Sequence, residues 1–244
     1  TVAGAVLIAQ YIGAGEKEDA RSMANQIFAC AMGFAVVCAT LCFLGTPAIV
    51  NWLGADGGTA YYARVYLRVV IWDMPFLYMV NIFSAVHQAQ GDTVRPMFLN
   101  LGGITLNLFL DPFFMIILNL GTAGAALATL LAKAIPAIVA FGLLCRQEND
   151  ICLNRKYMRL QKEKLGMILK IGLPTAIGGS TMQLGFLLMS KNVFVYGTEA
   201  MAAYGIGNKV NGLITLPSNA IGSATATIVG QNMGAKQSDR AEKG

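Results

Sequence analysis

The chain has 244 residues, 55% of them hydrophobic and only 13% charged, with a mean hydropathy of +0.56; a soluble domain carries about 25% charged residues, which excludes an ordinary soluble enzyme. The net charge of +5 is spread over short gaps between apolar blocks and forms no basic stripe with interleaved aromatics, which excludes a nucleic-acid surface and points to a membrane. No long acidic, Pro-rich or low-complexity run is present, so a disordered linker is excluded as well.

A hydrocarbon core needs about 20 mainly apolar residues per helix, and runs of that length appear in order along the chain. A partial one, Thr1–Ile12, precedes the charged turn GAGEKEDAR. Met23–Val50 carries no charge and ends at GADGG; Val65–Ala85 ends at HQAQGDTVR. Pro96–Leu118 and Gly121–Cys145 are so close that they form an antiparallel hairpin. After the polar stretch Arg146–Lys164 come Ile168–Tyr196 and Ala200–Met233. The expected fold is an all-α membrane protein, a polytopic helical bundle. The start at Thr1 inside an apolar stretch and the polar end SDRAEKG are those expected of a fragment.

Lys and Arg are retained in cytoplasmic loops near span ends. Lys17, Arg21, Arg95, Arg146, Arg155, Lys156, Arg159, Lys162, Lys164, Lys170, Lys236, Arg240 and Lys243 fall on one side, against Arg64 and Arg68 on the other. This places Arg146–Lys164 in the cytoplasm and the turns Gly54–Gly58, Asn119–Gly121 and Gly197–Glu199 outside. The chain also aligns with itself: IAQYIGAGEKEDA (Ile8–Ala20) matches VGQNMGAKQSDRA (Val229–Ala241) at an offset of 221, with Gln10 on Gln231, Gly13 on Gly234, Ala14 on Ala235 and Ala20 on Ala241. Parallel repeats of about six helices are a transporter architecture.

The five cysteines (Cys30, Cys38, Cys42, Cys145, Cys152) form no C-x-x-C pair and read as reduced, buried thiols. Phosphate-loop, nucleophile-elbow and H-E-x-x-H motifs are absent. His87, the only histidine, reads as an interfacial residue. A charge inside the hydrocarbon costs about 2.5–3.5 kcal/mol on insertion scales, so Asp73, Asp111, Lys133, Lys191 and Lys209 each need a reason. Asp111 precedes Pro112, which has no N–H to give to the carbonyl of Leu108. Asn107 lies four residues earlier on the same face, and Thr129 stands at a similar depth in the next span, near mid-membrane. Asn107, Asp111, Thr129 and the freed carbonyl offer an oxygen-rich pocket for Na⁺, or a desolvated carboxylate for H⁺; the alternative is a polar bridge that fixes helix packing. Asp73 reads as a second site or as the partner of Arg68, nearer the external end. Lys209, with Asn208 and Asn211 beside it, reads as a cavity residue or as the partner of a carboxylate. Lys191 and Lys133 read as snorkelling or paired. Met-rich spans suit either a pliable cavity or ordinary packing.

The turn AQYIGAGEKEDA, then QGDTVRPM (Gln90–Met97), NLFLDP (Asn107–Pro112), G-x-x-GAALAT (Gly121–Thr129), IGLP (Ile171–Pro174) and VGQNMGA with DRA (Val229–Ala241) together resemble the multidrug and toxic compound extrusion (MATE) family over essentially the whole chain. The resemblance implies two pseudo-symmetric lobes of six helices in the complete protein. Residues 1–145 would be a partial N-terminal lobe (helices 2–6), 146–167 a basic cytoplasmic inter-lobe linker, and 168–244 the start of the C-terminal lobe (helices 7–8). It implies a Na⁺- or H⁺-coupled antiporter exporting organic cations, drugs or toxic metabolites by alternating access, probing small cationic or amphipathic substrates from a multi-pass position in the plasma membrane, the inner membrane in a bacterium. It further implies a non-enzymatic, monomeric protein with no nucleic-acid partner and no cofactor beyond the coupling ion. The family's cation-site Asn and Asp of helix 5 and Thr of helix 6 fall on Asn107, Asp111 and Thr129; its helix 1 Asp lies outside the sequence. Where one branch has a helix 7 Glu, this chain has Met182 with Gln183 beside it, and Gln183 joins Asn208 and Lys209 as a candidate for the substrate cavity. A lipid-linked oligosaccharide flippase of the same superfamily is the first alternative, with more charge expected in the cavity. A membrane-embedded transferase is the second, expected to show paired acidic loop motifs. By itself the fragment is expected not to transport.

Overall fold

The computed structural model describes residues 2–52, 57–146, 151–154, 157 and 161–243. Among these every regular element is helical: α1 (Val2–Gly13), α2 (Lys17–Trp52), α3 (Gly57–Val70), a 3₁₀ turn (Ile71–Asp73), α4 (Met74–Ala89), α5 (Val94–Pro112), a π-helical turn (Phe113–Ile117), α6 (Gly121–Cys145), α7 (Lys162–Phe194), α8 (Thr198–Gly234) and α9 (Ser238–Lys243). Five stretches are long and apolar enough to cross a membrane: Lys17–Trp52, Ala60–Ala89, Val94–Ile117, Gly121–Cys145 and Lys162–Phe194. The expected span at Ala200–Met233 is present as the 37-residue α8, but Gly, Ser, Thr and Asn make it less apolar than those five. Most of the expected turn at Gly54–Gly58, together with Arg155, Lys156 and Arg159, lies outside the described residues.

In lipid, where tails are as apolar as Leu, helices associate through close packing and polar contacts rather than through escape from water. The core follows that rule. Ala35, Ala39, Ala126, Ala128 and Ala140 are wholly buried, as are larger side chains such as Met23 and Phe83. The core brings together α1, α2, α4 and α6 with Ile151 and Leu153 from the segment that follows α6. At the end of the bundle opposite the basic loops, α5 and α6 are joined by a turn in which Asn119 and Gly121 take positive φ, 51° and 54°.

Several described residues between α6 and α7 are bonded to α2. Asn25, fully buried on α2, donates to the Cys152 carbonyl at 3.1 Å and accepts from the Asn154 N–H at 2.9 Å. Gln26, also fully buried, donates to the Tyr157 carbonyl at 3.0 Å and accepts from the Gln161 N–H at 3.1 Å. Lys164, in the first turn of α7, reaches Asp19 at 2.8 Å and sits over the Tyr11 ring. The basic stretch between the expected lobes thus runs back over α2, and α7 begins at Lys162, ahead of the apolar run expected from Ile168.

The internal repeat is a structural one. Ala14 N–H to Gln10, Gly15 to Ile12 and Glu16 to Tyr11, at 2.9, 3.0 and 3.0 Å, recur as Ala235 to Gln231, Lys236 to Met233 and Gln237 to Asn232, at 3.0, 3.1 and 2.9 Å. Gly15 and Lys236 both turn the chain with positive φ. The two copies meet face to face. A Cβ on Gly13 would stand 2.0 Å from the Gln231 carbonyl oxygen, and one on Gly234 would stand 1.9 Å from that of Gln10. Each copy's glycine therefore lies on the other copy's glutamine backbone, a two-fold arrangement between Ala9-x-x-x-Gly13 and Gly230-x-x-x-Gly234. Small residues four apart are what let membrane helices approach this closely.

Two outcomes follow. Ala9→Cys with Gly230→Cys, whose Cβ atoms would lie 3.2 Å apart and so close to disulfide geometry, cross-links under mild oxidation in a background free of the native cysteines, and adding Gly13→Ala sharply lowers the yield, read by gel shift after a cleavable loop is cut. Asn25→Ala removes the donor to the buried Cys152 carbonyl and destabilises the folded protein by about 1–3 kcal/mol, measured by thermal unfolding in detergent.

Candidate functional site

Pro112 cannot give its missing N–H to Leu108, and the helix answers with a π turn: the Leu118 N–H reaches five residues back to the Phe113 carbonyl at 3.1 Å. Such bulges mark positions where a helix presents side chains out of its regular order. Gly124 of α6 lies against this turn, where a Cβ would stand 2.7 Å from the Phe114 carbonyl oxygen. Further along, Gly103 of α5 approaches the Ala132 carbonyl and Pro136 of α6. The two contacts lock α5 to α6 in register.

Beside them α4, α5 and α6 enclose a cavity of about 240 Å³ with mainly apolar walls such as Leu77, Ile104 and Pro136. Its polar groups are Asn100, Asn107, Thr129 and Lys133. Asn107 donates to Asp111 at 3.3 Å, so the half-buried carboxylate is tied to the cavity through its neighbour one turn away. Of the three residues expected to form a cation site, Asn107 and Asp111 are bonded and Asn107 and Thr129 share a cavity wall. The Thr129 hydroxyl donates to the Ala125 carbonyl of its own helix at 2.9 Å, which leaves its lone pairs as the part available to a ligand.

Asp73 departs from its expected partner and depth. It is bonded to Lys133, while Arg68 lies over the Phe43 ring. The 3₁₀ turn carries α3 into α4 as one apolar stretch, Ala60–Ala89, so Asp73 lies near its middle rather than toward one end. Lys133 stands twelve residues from either end of α6. An ion pair thus crosses the bundle at mid-membrane, with Asp73 buried and the Lys133 side chain 37% exposed. The same logic explains Lys191, which lies over the Trp52 ring at 5.2 Å to the centroid. His87, in the last turn of α4, is buried by its neighbours: its Nδ1 bonds the Phe83 carbonyl at 2.9 Å and its ring lies 4.0 Å, centroid to centroid, from that of Phe83. All five cysteines are free thiols, as expected, though Cys145 is exposed and only Cys152 fully buried.

A second cavity, about 480 Å³, lies where α1 and α4 face α8. Asn81, Ser84 and Gln88 line it from α4, and Ser218, Asn219 and Ser223 from α8; no charged side chain contributes. It is bounded toward the basic end by the glycine–glutamine contact and by Gln231, whose Nε2 donates to the Ala89 carbonyl at 2.7 Å. Gln183, Asn208 and Lys209 line neither cavity and are exposed on α7 and α8. The residues that do line the second cavity escaped the sequence reading because Ser, Asn and Gln in a span carry no charge to draw attention; their four-residue spacing on α4 (Ser84, Gln88) was the available signal.

The MatE family model matches residues 1–113 and 174–243. The chain belongs to the MatE family. It is 32% identical over 238 residues to the probable multidrug resistance protein NorM of Thermotoga maritima, covering 94% of this chain and 50% of that protein. It is 24% identical over 242 residues to the probable multidrug resistance protein YoeA of Bacillus subtilis, covering 96% and 52%. Its fold matches that of a MOP superfamily transporter from Pyrococcus furiosus at a TM-score of 0.91 and 23% identity, covering 99% of this chain and 54% of that one. This MatE chain therefore spans about half the length of the relatives it matches, and it is a polytopic membrane protein.

Breaking a buried ion pair from one side strands a charge, whereas removing both partners does not. Asp73→Ala therefore destabilises the protein by at most about 3–5 kcal/mol, the cost for a fully buried pair, since the Lys133 side chain is 37% exposed, and Asp73→Ala with Lys133→Met recovers most of that loss, as read by thermal unfolding of the two purified variants.

Proposed function

We propose that the complete protein exports small organic compounds, cationic or amphipathic in character, in exchange for inward H⁺ or Na⁺, its two halves alternately sealing one face of the membrane and then the other. The end bearing Lys17, Arg95 and Lys236 is the cytoplasmic one by the distribution of basic residues. The observation that carries the reading is the juxtaposition of a seal and a chamber: helices of both halves close on each other at Gly13 and Gly234, and a polar cavity lies between the same helices immediately beyond that closure. A site between repeats that rock against one another is the alternating-access arrangement.

The Asn107–Asp111 pair supplies the coupling group in this reading. A carboxylate in an apolar span is expensive to keep ionised, so a bound proton or Na⁺ at Asp111 changes how well the surrounding helices pack, and that difference is what drives the exchange. The names of the relatives, multidrug resistance proteins, agree with a drug-like substrate.

In cells expressing the full-length transporter, outward movement of a fluorescent cationic dye follows an imposed H⁺ or Na⁺ gradient, and Asp111→Asn abolishes the gradient-driven component while leaving the protein in the membrane. Unchanged efflux in Asp111→Asn would remove coupling from this residue.

A further inference from the structure

One hydrogen bond across the closure has no described twin, although the residue that makes it is repeated. Gln231 of α8 donates its side-chain Nε2 to the Ala89 carbonyl at 2.7 Å. Ala89 is the last residue of α4, and a carbonyl there lies beyond the reach of its own helix's N–H groups; the turn that follows gives its N–H groups to His87 and Gln88 instead. The bond therefore ties a helix of the second half to the open end of a helix of the first. Gln10 is the counterpart of Gln231 at the offset of 221. Its backbone lies against Gly234 as that of Gln231 lies against Gly13, and it is half-buried. Yet among the described residues the Gln10 side chain has no hydrogen-bond partner. The helix that answers to α4 under the same offset belongs to the second half and lies outside this sequence. Resting on the alternating closure given above, we propose that Gln10 and Gln231 are twin latches of the cytoplasmic gate: Gln231 holds the last turn of α4, and Gln10 holds the last turn of α4's second-half counterpart, each by donating to a helix-end carbonyl.

The chemistry of the bond suits a latch that opens in every cycle. The glycine contacts set how closely the helices approach, but a contact present only in the closed state biases the gate by its own free energy. An amide–carbonyl bond is neutral and its net worth is small where water can replace it, so the parting halves leave neither a stranded charge nor a dry polar group at this end of the bundle. The latch also stands at the right depth. Gln88 and Thr227 line the chamber between the halves, and they lie one residue before Ala89 and one helical turn before Gln231, so release of this bond opens the chamber toward the basic loops. Two equal bonds about the two-fold axis resist that opening evenly, and loss of either shifts the gate by a similar factor.

The test uses the full-length transporter in a cysteine-free background carrying Ser84→Cys, a position on the chamber wall, with a membrane-impermeant sulfonated maleimide added to inside-out and to right-side-out vesicles. Gln231→Met removes the amide at nearly constant shape, and Gln231→Glu, ionised at the water's edge, has no donor. Each raises the labelling rate from the cytoplasmic face by about two- to tenfold, the loss of one net hydrogen bond, with no rise from the external face. Gln10→Met and Gln10→Glu do the same by a similar factor, and Gln10→Met with Gln231→Met gives about the product of the two. Labelling of the Gln231 variants at the wild-type rate overturns the latch, and so does a rise from both faces at once, which reports general loosening. A response to the Gln231 variants with none to the Gln10 variants overturns the twin. Dye efflux from cells expressing the same proteins keeps the two readings apart: a rise confined to the cytoplasmic face in a protein that moves no dye leaves the latches standing and sinks the exporter.

Discussion

Where α1 crosses α8, each helix gives up a side chain so that the other's backbone can lie against it. Gly13 rests on Gln231 and Gly234 on Gln10, and because the pairs are equivalent under the repeat, neither contact can loosen without the other. The remaining features of the basic end depend on this crossing. It sets how close α4 comes to α8, so that Gln231 reaches the Ala89 carbonyl, and it places the small polar residues of α8 opposite those of α4 to enclose a cavity. A single methyl group at either glycine has nowhere to go except by moving one half away from the other.

The polar groups of the molecule are sorted by what the bilayer permits. At the surface, two amides on α2 satisfy four backbone groups of the segment that follows α6. Within the first six helices, the described mid-membrane charges are the Asp73–Lys133 pair and Asp111 beside its amide neighbour. Between the halves, the lining is polar and uncharged, a surface that water can wet without pinning an ion. Each zone has the least costly polarity for its surroundings.

The spans, their order and the hairpin at Asn119–Gly121 were legible because length and apolarity alone decide what crosses a bilayer, and the repeat because its glycines and glutamine fall in one register. The Asn107–Asp111 bond was legible because four residues is a local spacing. What escaped depended on pairing between distant segments. Asp73 and Lys133 are 60 residues apart, and nothing local says that a 3₁₀ turn joins α3 to α4 and carries Asp73 to mid-membrane. His87, beside Gln88 and Gln90, reads as a residue at the water's edge, yet the packing of α4 buries it against Phe83. Asn25 and Gln26 lie without charge inside the run Met23–Val50 and give no sequence signal, because their partners are backbone atoms that a side-chain pattern cannot reveal.

The bonds from α2 to Cys152, Asn154, Tyr157 and Gln161 also bear on where α7 is least supported. Asn25, Gln26 and Asp19 hold the chain as far as Lys164, and Met167, Ile168 and Ile171 still pack on the core of the first half. From Leu173 to Met189 every residue of α7 is exposed. The boundary falls at Gly172–Leu173–Pro174, where proline removes one rung of the helix ladder. The described ties to α2 therefore end just ahead of the point where a membrane helix loses a rung, so the place of least backbone support along this stretch lies inside α7.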